Sequence, residues 1–266
     1  MNHYQKSYQY LKERIISKTK TAIVIGSGLS GIIDKVEDKN IIPYGEIPEF
    51  LHSTAPTHRG ELISGYLYGK PVVCLNGRFH YYEGYQMQQV AEYIKVLKLL
   101  GIEQIILTNA SGSMYQEIVP GDLVVVEDHI NFSGLNPLRG KNDENFGPRF
   151  VDMSNAYSKR LIEKVFENSS NCLKKGTYVY GNGPSFETAA EIRAFKTLGG
   201  TIVGMSTVPE VIMCAYCGIE VLTISCVSNY APGIPGSNVS DEELVRVTRL
   251  AQDKFSKVLE ELFNKI

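Results

Sequence analysis

Three absences narrow the kind of protein that this sequence can encode. The charge is balanced, with 27 lysines and arginines against 29 aspartates and glutamates. The basic residues are scattered rather than clustered, which argues against a nucleic-acid partner. No run of about 18 apolar residues occurs, so we expect no membrane span, and the polar start of the chain lacks the apolar centre of a signal peptide. The expected location is the cytoplasm.

Cysteines are also few. Five of them, an odd number, are spread over 266 residues, a pattern typical of reduced thiols in a reducing compartment. Cys214 and Cys217 form a C-x-x-C pair, but no second Cys or His pair stands at the spacing of zinc ligands. We therefore interpret the cysteines as buried structural thiols and predict no metal site.

The sequence does contain a regular series of short apolar runs. A chain of 266 residues, 43% of them hydrophobic, has the size and composition of one sizeable domain, which we expect to span residues 1–266. Runs typical of strands buried on both faces of a parallel sheet occur at Thr21–Ile25, Val72–Leu75, Ile105–Thr108, Leu123–Val126, Thr177–Tyr180, Ile202–Val203 and Val221–Val227.

Helical patterns lie between several of these strands. They are predicted at Met87–Leu100, Thr188–Leu198 and Val208–Cys217, and a last helix follows Ser240, with Glu243 reaching back in a capping box. The expected fold class is α/β, with a central mixed, largely parallel twisted sheet flanked by helices. Ligands of such folds bind beyond the carboxyl ends of the strands, so we expect the site there.

The first predicted strand is followed by Gly26–Gly31, which matches the G-x-G-x-x-G pattern of dinucleotide-binding enzymes. The next segment, Ile32–Asn40, is too short and too charged for the crossover helix of such a fold. No clear strand ending in an acidic residue follows at the expected distance. The interpretation that remains is a glycine-rich turn whose backbone N–H groups and Ser27 hydroxyl contact a phosphate.

A second anion-binding segment follows the second predicted strand. Arg78 and His80 alternate, so in an extended chain both side chains lie on one face and can bind one oxyanion. Turns rich in hydroxyl groups and backbone donors, at Thr108–Ser113 and Gly204–Thr207, lie at two further strand ends. Several such turns at strand ends predict an oxyanion held by protein groups alone.

Two polar residues at strand exits allow both a structural and a functional interpretation. Glu187 precedes a predicted helix, where a carboxylate is favourable for the helix dipole alone. Asn229 follows an apolar strand, as an ordinary turn asparagine does. These two residues do not by themselves decide between the interpretations.

Taken together, these segments resemble one family, the homotrimeric, 6-oxopurine-specific purine nucleoside phosphorylases. The resemblance extends from about Thr21 to the last helix. It rests on the ordered motifs GSGL at 26–29, GRFHYYEGY at 77–85, TNASG at 108–112, DHIN at 128–131, NPLRG at 136–140, GPSFET at 183–188 and VGMSTVPEV at 203–211.

The resemblance implies a pentosyltransferase of purine salvage. Such an enzyme reversibly cleaves 6-oxopurine ribonucleosides or deoxyribonucleosides, such as inosine and guanosine, with inorganic phosphate. The products are the free base and ribose or deoxyribose 1-phosphate. No metal or organic cofactor is implied, because phosphate is a co-substrate and the reaction relies on positioning and electrostatics.

The resemblance also implies roles for individual residues. Phosphate would be bound by Ser27, Arg78, His80, the backbone N–H of Ala110, and Ser206. The sugar would lie against Tyr82 and Met205, with His58 near the site mouth and Phe150 reaching in from a neighbouring subunit. The base would lie near Phe186 and Val203. Glu187 would accept a hydrogen bond from N1–H, and Asn229 would contact the 6-oxygen and donate to N7 of the leaving purine. Catalysis would therefore rest on Asn229, Glu187 and His80.

The chain departs from the family pattern at three places. Ser111 and Ser113 replace small residues in one turn, residues 57–60 read THRG where GHAG is usual, and Asp241 stands where the family commonly carries a histidine directed at the sugar 5′-hydroxyl. The alternative within the fold is methylthioadenosine phosphorylase, although Asn229 argues against it, since such enzymes generally place an aspartate there. A catalytically idle nucleoside-binding protein is the alternative from another class.

Overall fold

The computed structural model describes residues 3–55, 58–169 and 173–266 of the chain. Cys172 and the side chain of Asp241 lie outside the described part. Within it, nine strands are present: β1 Thr21–Ile25, β2 Glu37–Pro43, β3 Glu61–Leu67, β4 Lys70–Asn76, β5 Gln104–Ser113, β6 Leu123–Asn131, β7 Leu173–Tyr180, β8 Ile202–Gly204 and β9 Glu220–Tyr230. The α-helices there are α1 His3–Leu11, α2 Met87–Val90, α3 Tyr93–Leu99, α4 Lys159–Ser169, α5 Ala189–Thr197, α6 Val208–Cys217 and α7 Asp241–Phe263.

The strands form one mixed sheet in the order β2-β3-β4-β1-β5-β8-β7-β6-β9. Pairing is parallel along β4-β1-β5-β9 and along β6-β7-β8. It is antiparallel along β2-β3-β4 and between β5 and β8 and between β6 and β9. Because β9 also pairs with β5, the strands β5, β8, β7, β6 and β9 close into a ring. The predicted α/β class, with a central mixed sheet flanked by helices, is confirmed.

The ring and the parallel strands beside it bring distant segments together at one edge. Gly112 near the end of β5 is aligned with Val203 of β8 on one side and with Asn229 of β9 on the other. The parallel strands β1 and β4 end level with each other, Ile25 opposite Asn76. The segments that follow these two strands therefore start side by side.

All seven predicted apolar runs lie within strands, and β1 has the predicted bounds. The strands β2 and β3 were not predicted. Six of the seven β2 residues are exposed or nearly so, and the sequence EDKNIIP lacks the apolar run of a buried strand. This edge strand is stabilised by its antiparallel pairing with β3, which sequence pattern alone does not reveal.

The helix predictions are mostly confirmed, with two corrections. Met87–Leu100 is not one helix, because the backbone at Ala91 leaves the helical region (φ −111°, ψ 3°) and separates α2 from α3. No glycine or proline marks that break. At the start of α7, Ser240 accepts a hydrogen bond from the Glu243 N–H as predicted, but the Glu243 carboxylate pairs with Arg246 instead.

The glycine-rich turn after β1 has a packing explanation that excludes the dinucleotide-binding fold. Only a 3₁₀ helix, Ser30–Lys35, separates it from β2, so the crossover helix of that fold is missing from this described segment. Gly28 has φ +77°, and a Cβ there would lie 1.7 Å from Thr248 Oγ1 on α7. A Cβ on Gly26 would lie 2.5 Å from the Thr108 carbonyl oxygen. Positions 26 and 28 must therefore lack side chains for the turn to pass between β5 and α7.

Two further expectations concern the cysteines and membrane-spanning helices. The cysteines within the described ranges, Cys74, Cys214, Cys217 and Cys226, are free and buried, as predicted. Among the described helices, none has the length and apolar character that crossing a membrane requires.

Candidate active site

A cavity of about 1320 Å³ opens at the edge of the sheet where β1, β4, β5, β8 and β9 end. This volume exceeds that of typical small-molecule sites, roughly 300–1,000 Å³. Most of the residues predicted for phosphate and nucleoside line it, namely Ser27, His58, Arg78, His80, Tyr82, Ala110, Phe186, Glu187, Val203, Met205, Ser206 and Asn229. The fold thus brings together residues from distant parts of the chain.

Arg78 is a fully buried cation at the base of this cavity. Its side chain is 1% exposed, Nη1 donates to the Thr108 carbonyl oxygen (2.6 Å) and to Ser206 Oγ (3.3 Å), and Nε donates to Glu210 Oε1 (3.1 Å). Burial disfavours the charge, but the Glu210 carboxylate more than offsets it and raises the pKa of Arg78. Nη2 is buried and has no partner within the described part of the chain. An anion in the cavity would supply that missing acceptor.

His80 is held in one orientation by Glu83. The Glu83 Oε1 accepts from the His80 backbone N–H (2.7 Å) and lies 2.9 Å from Nδ1. A carboxylate only accepts hydrogen bonds, so Nδ1 carries the proton and Nε2 is left for a ligand. Burial disfavours the Glu83 charge, yet hydrogen bonds from His80 and Thr54 outweigh burial and lower the pKa of Glu83 to about 2. The pair therefore contains an ionised carboxylate at neutral pH.

His58 lies beside this pair. Its ring stacks on that of His80 with centroids 5.2 Å apart, and His80 in turn stacks on Tyr82 at 4.6 Å. Burial, followed by the nearby His80 and Arg78, lowers the pKa of His58 to about 3, so the ring is neutral. Nδ1 lies 3.2 Å from both the backbone nitrogen and the carbonyl oxygen of Arg78, and 3.1 Å from Ser53 Oγ. Nε2 is a second buried polar atom without a partner among the described residues.

Ser206 is placed by the unusual turn that starts α6. Thr207 has φ +74° and ψ −53°, and the Val208 N–H donates across it to the Ser206 carbonyl oxygen (2.8 Å). Its own N–H donates to Glu210 Oε2 (2.9 Å), and its hydroxyl accepts from Asn109 Nδ2 (2.9 Å). The turn leaves the Ser206 hydroxyl within 3.3 Å of Arg78 Nη1.

The cavity lining also carries an amide and a carboxylate. Asn229 Oδ1 accepts from Ser228 Oγ (2.7 Å), and Nδ2 donates one hydrogen to the Tyr230 carbonyl oxygen (2.9 Å). The second Nδ2 hydrogen is left for a ligand. Burial raises the pKa of Glu187, a carboxylate in the same wall. These groups can hydrogen-bond the polar edge of a planar base.

The departures at Ser111 and Ser113 are accommodated inside the protein. Ser225 Oγ lies 2.7 Å from Ser111 Oγ, and Ser113 Oγ donates to the Tyr115 carbonyl oxygen (2.8 Å). Both serines are buried with hydrogen-bond partners, so these substitutions do not leave an unsatisfied polar group.

Two predicted site residues are not placed in the cavity. Phe150 is 87% exposed and does not line it in the single chain. The side chain of Asp241 lies outside the described part, although the residue begins α7.

The sequence analysis missed two buried partners of the site, Glu83 and Glu210. Each stands three residues after an N-cap residue and accepts a hydrogen bond from its backbone N–H, in the patterns His80-x-x-Glu83 and Thr207-x-x-Glu210. The T-x-x-E spacing before an apolar run is a capping-box signal, and it was the available clue to Glu210.

Comparison with known proteins agrees with this geometry. A family model of the phosphorylase superfamily matches residues 20–264. The purine nucleoside phosphorylase 1 of Geobacillus stearothermophilus is 44% identical over 254 residues, which cover 94% of this chain and 93% of the relative. The chain belongs to the purine nucleoside phosphorylases. As a member of that family it is a pentosyltransferase. The alternative assignment, methylthioadenosine phosphorylase, is not favoured.

Solved structures of the same family superpose on the whole fold. The Schistosoma mansoni purine nucleoside phosphorylase in complex with inosine matches with a TM-score of 0.92 and 35% identity, covering 99% of this chain and 96% of the other. A complex of the Schistosoma mansoni enzyme with adenosine matches with the same TM-score and coverage at 36% identity. These Schistosoma mansoni complexes therefore contain one 6-oxo and one 6-amino nucleoside.

Proposed function

We propose that this purine nucleoside phosphorylase reversibly cleaves 6-oxopurine ribonucleosides and deoxyribonucleosides, inosine and guanosine among them, in purine salvage. The products are the free base and the corresponding pentose 1-phosphate. The observation that carries the phosphate part is Arg78 Nη2, a buried donor that has no partner within the described part of the chain and belongs to a residue that lines the cavity. A buried donor of this kind is costly unless an acceptor meets it, so it fits an oxyanion co-substrate.

The reaction follows from where charge develops. The C1′–N9 bond breaks with its electron pair moving to the purine, and a phosphate oxygen forms the new bond to C1′. The sugar becomes cationic in the transition state, which the adjacent phosphate stabilises, while phosphate itself is held by Arg78, His80, Ser206, Ser27 and the Ala110 N–H. These groups line one cavity. Phosphate is therefore proposed as co-substrate without any cofactor.

The leaving purine takes up negative charge as the bond stretches. The free Nδ2 hydrogen of Asn229 is available to the purine N7 or 6-oxygen, and it stabilises this charge more in the transition state than in the bound nucleoside. Glu187 is proposed to accept from N1–H of a 6-oxopurine. Adenine has no N1–H, so we propose that adenosine is turned over poorly by this chain, even though a relative binds it.

We further propose a homotrimer in which Phe150 of one subunit covers the sugar site of its neighbour. A phenylalanine that is 87% exposed in the single chain supports an intersubunit role. Within the described ranges, no three His, Cys, Asp or Glu side chains are grouped so as to hold a metal ion. The buried free thiols support a reducing compartment, and we propose the cytoplasm.

A nucleoside panel assayed with and without phosphate tests the proposal. We expect inosine and guanosine to be cleaved only with phosphate and to yield ribose 1-phosphate, while adenosine is cleaved far more slowly. Release of free ribose at an equal rate in phosphate-free buffer would show a hydrolase instead. Comparable rates for adenosine and inosine would reject the proposed base selectivity alone.

A further inference from the structure

Glu210 is a buried carboxylate that the proposed reaction does not use. It lies in the first turn of α6 and is 1% exposed. Its Oε1 accepts from Arg78 Nε (3.1 Å) and from the Tyr93 hydroxyl (2.7 Å), and its Oε2 accepts from the Thr207 N–H (2.9 Å). One side chain thus contacts both the arginine and the turn that presents Ser206.

The Thr207 turn needs such a contact. A β-branched residue at φ +74° is strained, and backbone of this kind persists only where its surroundings hold it. Glu210 Oε2 accepts from the Thr207 N–H, Asn109 Nδ2 donates to its hydroxyl, and the Val211 N–H donates to its carbonyl oxygen (2.9 Å). The position of the Ser206 hydroxyl, one residue earlier, depends on this turn.

The Glu210 contact to Arg78 also selects which guanidinium nitrogen is left for a ligand. With Nε on Glu210 and Nη1 on the Thr108 carbonyl oxygen, Nη2 is left unpartnered within the described part. A guanidinium presents its donors in a rigid plane, so fixing two of them fixes the third.

We propose that Glu210 is a positioning residue for phosphate, which sets the spacing between Arg78 Nη2 and Ser206 Oγ through its two oxygens. This inference rests on the proposed function, because it concerns the co-substrate of that reaction. The competing explanation is that Glu210 is only the counter-charge that makes a buried arginine tolerable. The two explanations differ in what they predict for phosphate binding in a variant that still folds.

The test measures the Kd of inorganic phosphate by isothermal titration calorimetry in the parent, in Glu210→Gln and in Tyr93→Phe. The glutamine keeps the size of the side chain but places an NH₂ group against one of two donors, Arg78 Nε or the Thr207 N–H. We expect its phosphate Kd to rise by at least about tenfold, the scale of one lost hydrogen bond to a charged group. The KM for inosine at saturating phosphate should change much less.

Tyr93→Phe is the matched control. It removes a donor to the same Oε1 and leaves the Arg78 and Thr207 contacts in place. Both variants should melt at a lower temperature than the parent, but only Glu210→Gln should bind phosphate more weakly. A merely structural role would lower both melting temperatures without separating the two Kd values.

The outcomes separate this inference from the proposed function. Phosphate binding by Glu210→Gln within about twofold of the parent, or equal weakening in Tyr93→Phe, would overturn the inference and leave the function standing. A parent that binds no phosphate would overturn both. Should Glu210→Gln not be recovered folded, Glu210→Asp takes its place. It keeps the charge but is one methylene shorter and cannot reach Arg78 and Thr207 together, so the same rise is expected and parent-like binding overturns the inference.

Discussion

Replacing Glu83 by glutamine tests whether an ionised carboxylate orients His80. Glu83 Oε1 accepts from the backbone N–H of His80 and contacts its Nδ1, and Oε2 accepts from the backbone N–H and hydroxyl of Thr54, both at 2.6 Å. In Glu83→Gln, an NH₂ group faces donors on one of these two sides. If the NH₂ group faces His80, the ring is no longer held in one tautomer. If it faces Thr54, the hydrogen bonds from the Thr54 N–H and hydroxyl are lost.

The magnitude follows from the pKa of this carboxyl. A folded-state pKa of about 2, against 4.5 for an ordinary glutamate, corresponds to about 3 kcal/mol of stability at neutral pH as an upper bound, since the region near the cavity is partly hydrated. We expect Glu83→Gln to lower the free energy of unfolding by about 2 kcal/mol at pH 7. For a domain of this size the melting temperature should fall by roughly 4–8 °C.

The sign of the pH dependence is fixed by a lowered carboxyl pKa. The contribution of Glu83 is fully present above pH 4.5 and is lost as the pH falls towards 2. The difference between parent and Glu83→Gln should therefore shrink between pH 5 and 3. Urea unfolding over that range measures it, with Glu117→Gln, an exposed carboxylate, as the control. A difference that stays constant down to pH 3 would refute the reasoning.

Three further predictions concern the rest of the site. His58, whose pKa is lowered to about 3 mainly by burial, should show no ring titration by NMR between pH 8 and 5, and the stability that its neutral form contributes should decline only as the pH falls below about 6.5. A ring that titrates near 6.5 contradicts this. Asn229→Asp should lower kcat/KM for inosine by at least about tenfold and shift the preference towards 6-amino purines, so an unchanged inosine-to-adenosine ratio argues against the role of Asn229. Phe150→Ala should raise the KM for nucleoside while changing the stability of the protomer by no more than about 0.5 kcal/mol, and a fully active monomer in analytical ultracentrifugation would reject the shared site.

The predictable part of the fold is the part with a local pattern. The strand TAIVI is buried along its whole length, so its apolar run records the environment directly. The charged edge strand β2 has no such apolar pattern, because it is stabilised by pairing with β3. The helix break at Ala91 has no local signal either, because no glycine or proline occurs there.

The candidate site, too, has a part that the sequence predicts and a part that it does not. Five of the motifs that resemble the family, at 26–29, 77–85, 108–112, 183–188 and 203–211, contain most of the predicted residues that line the cavity, and each of these motifs overlaps or closely follows the end of a strand. They did not reveal Glu210, whose partners Arg78 and Tyr93 lie 132 and 117 residues away in the chain. Nor did they reveal that His58 is neutral, which depends on its burial against His80 and Arg78.

The sequence by itself therefore determined the α/β class, the positions of the buried strands and the chemical identity of the groups at their ends. These properties depend on local pattern and residue type. The tertiary structure alone decided which nitrogen of Arg78 is left without a partner in the described part of the chain, which ring nitrogen of His80 carries its proton, and how a strained turn at Thr207 presents Ser206. Those features depend on burial and on hydrogen bonds between segments far apart in the chain, and they arise only when the strand ends meet.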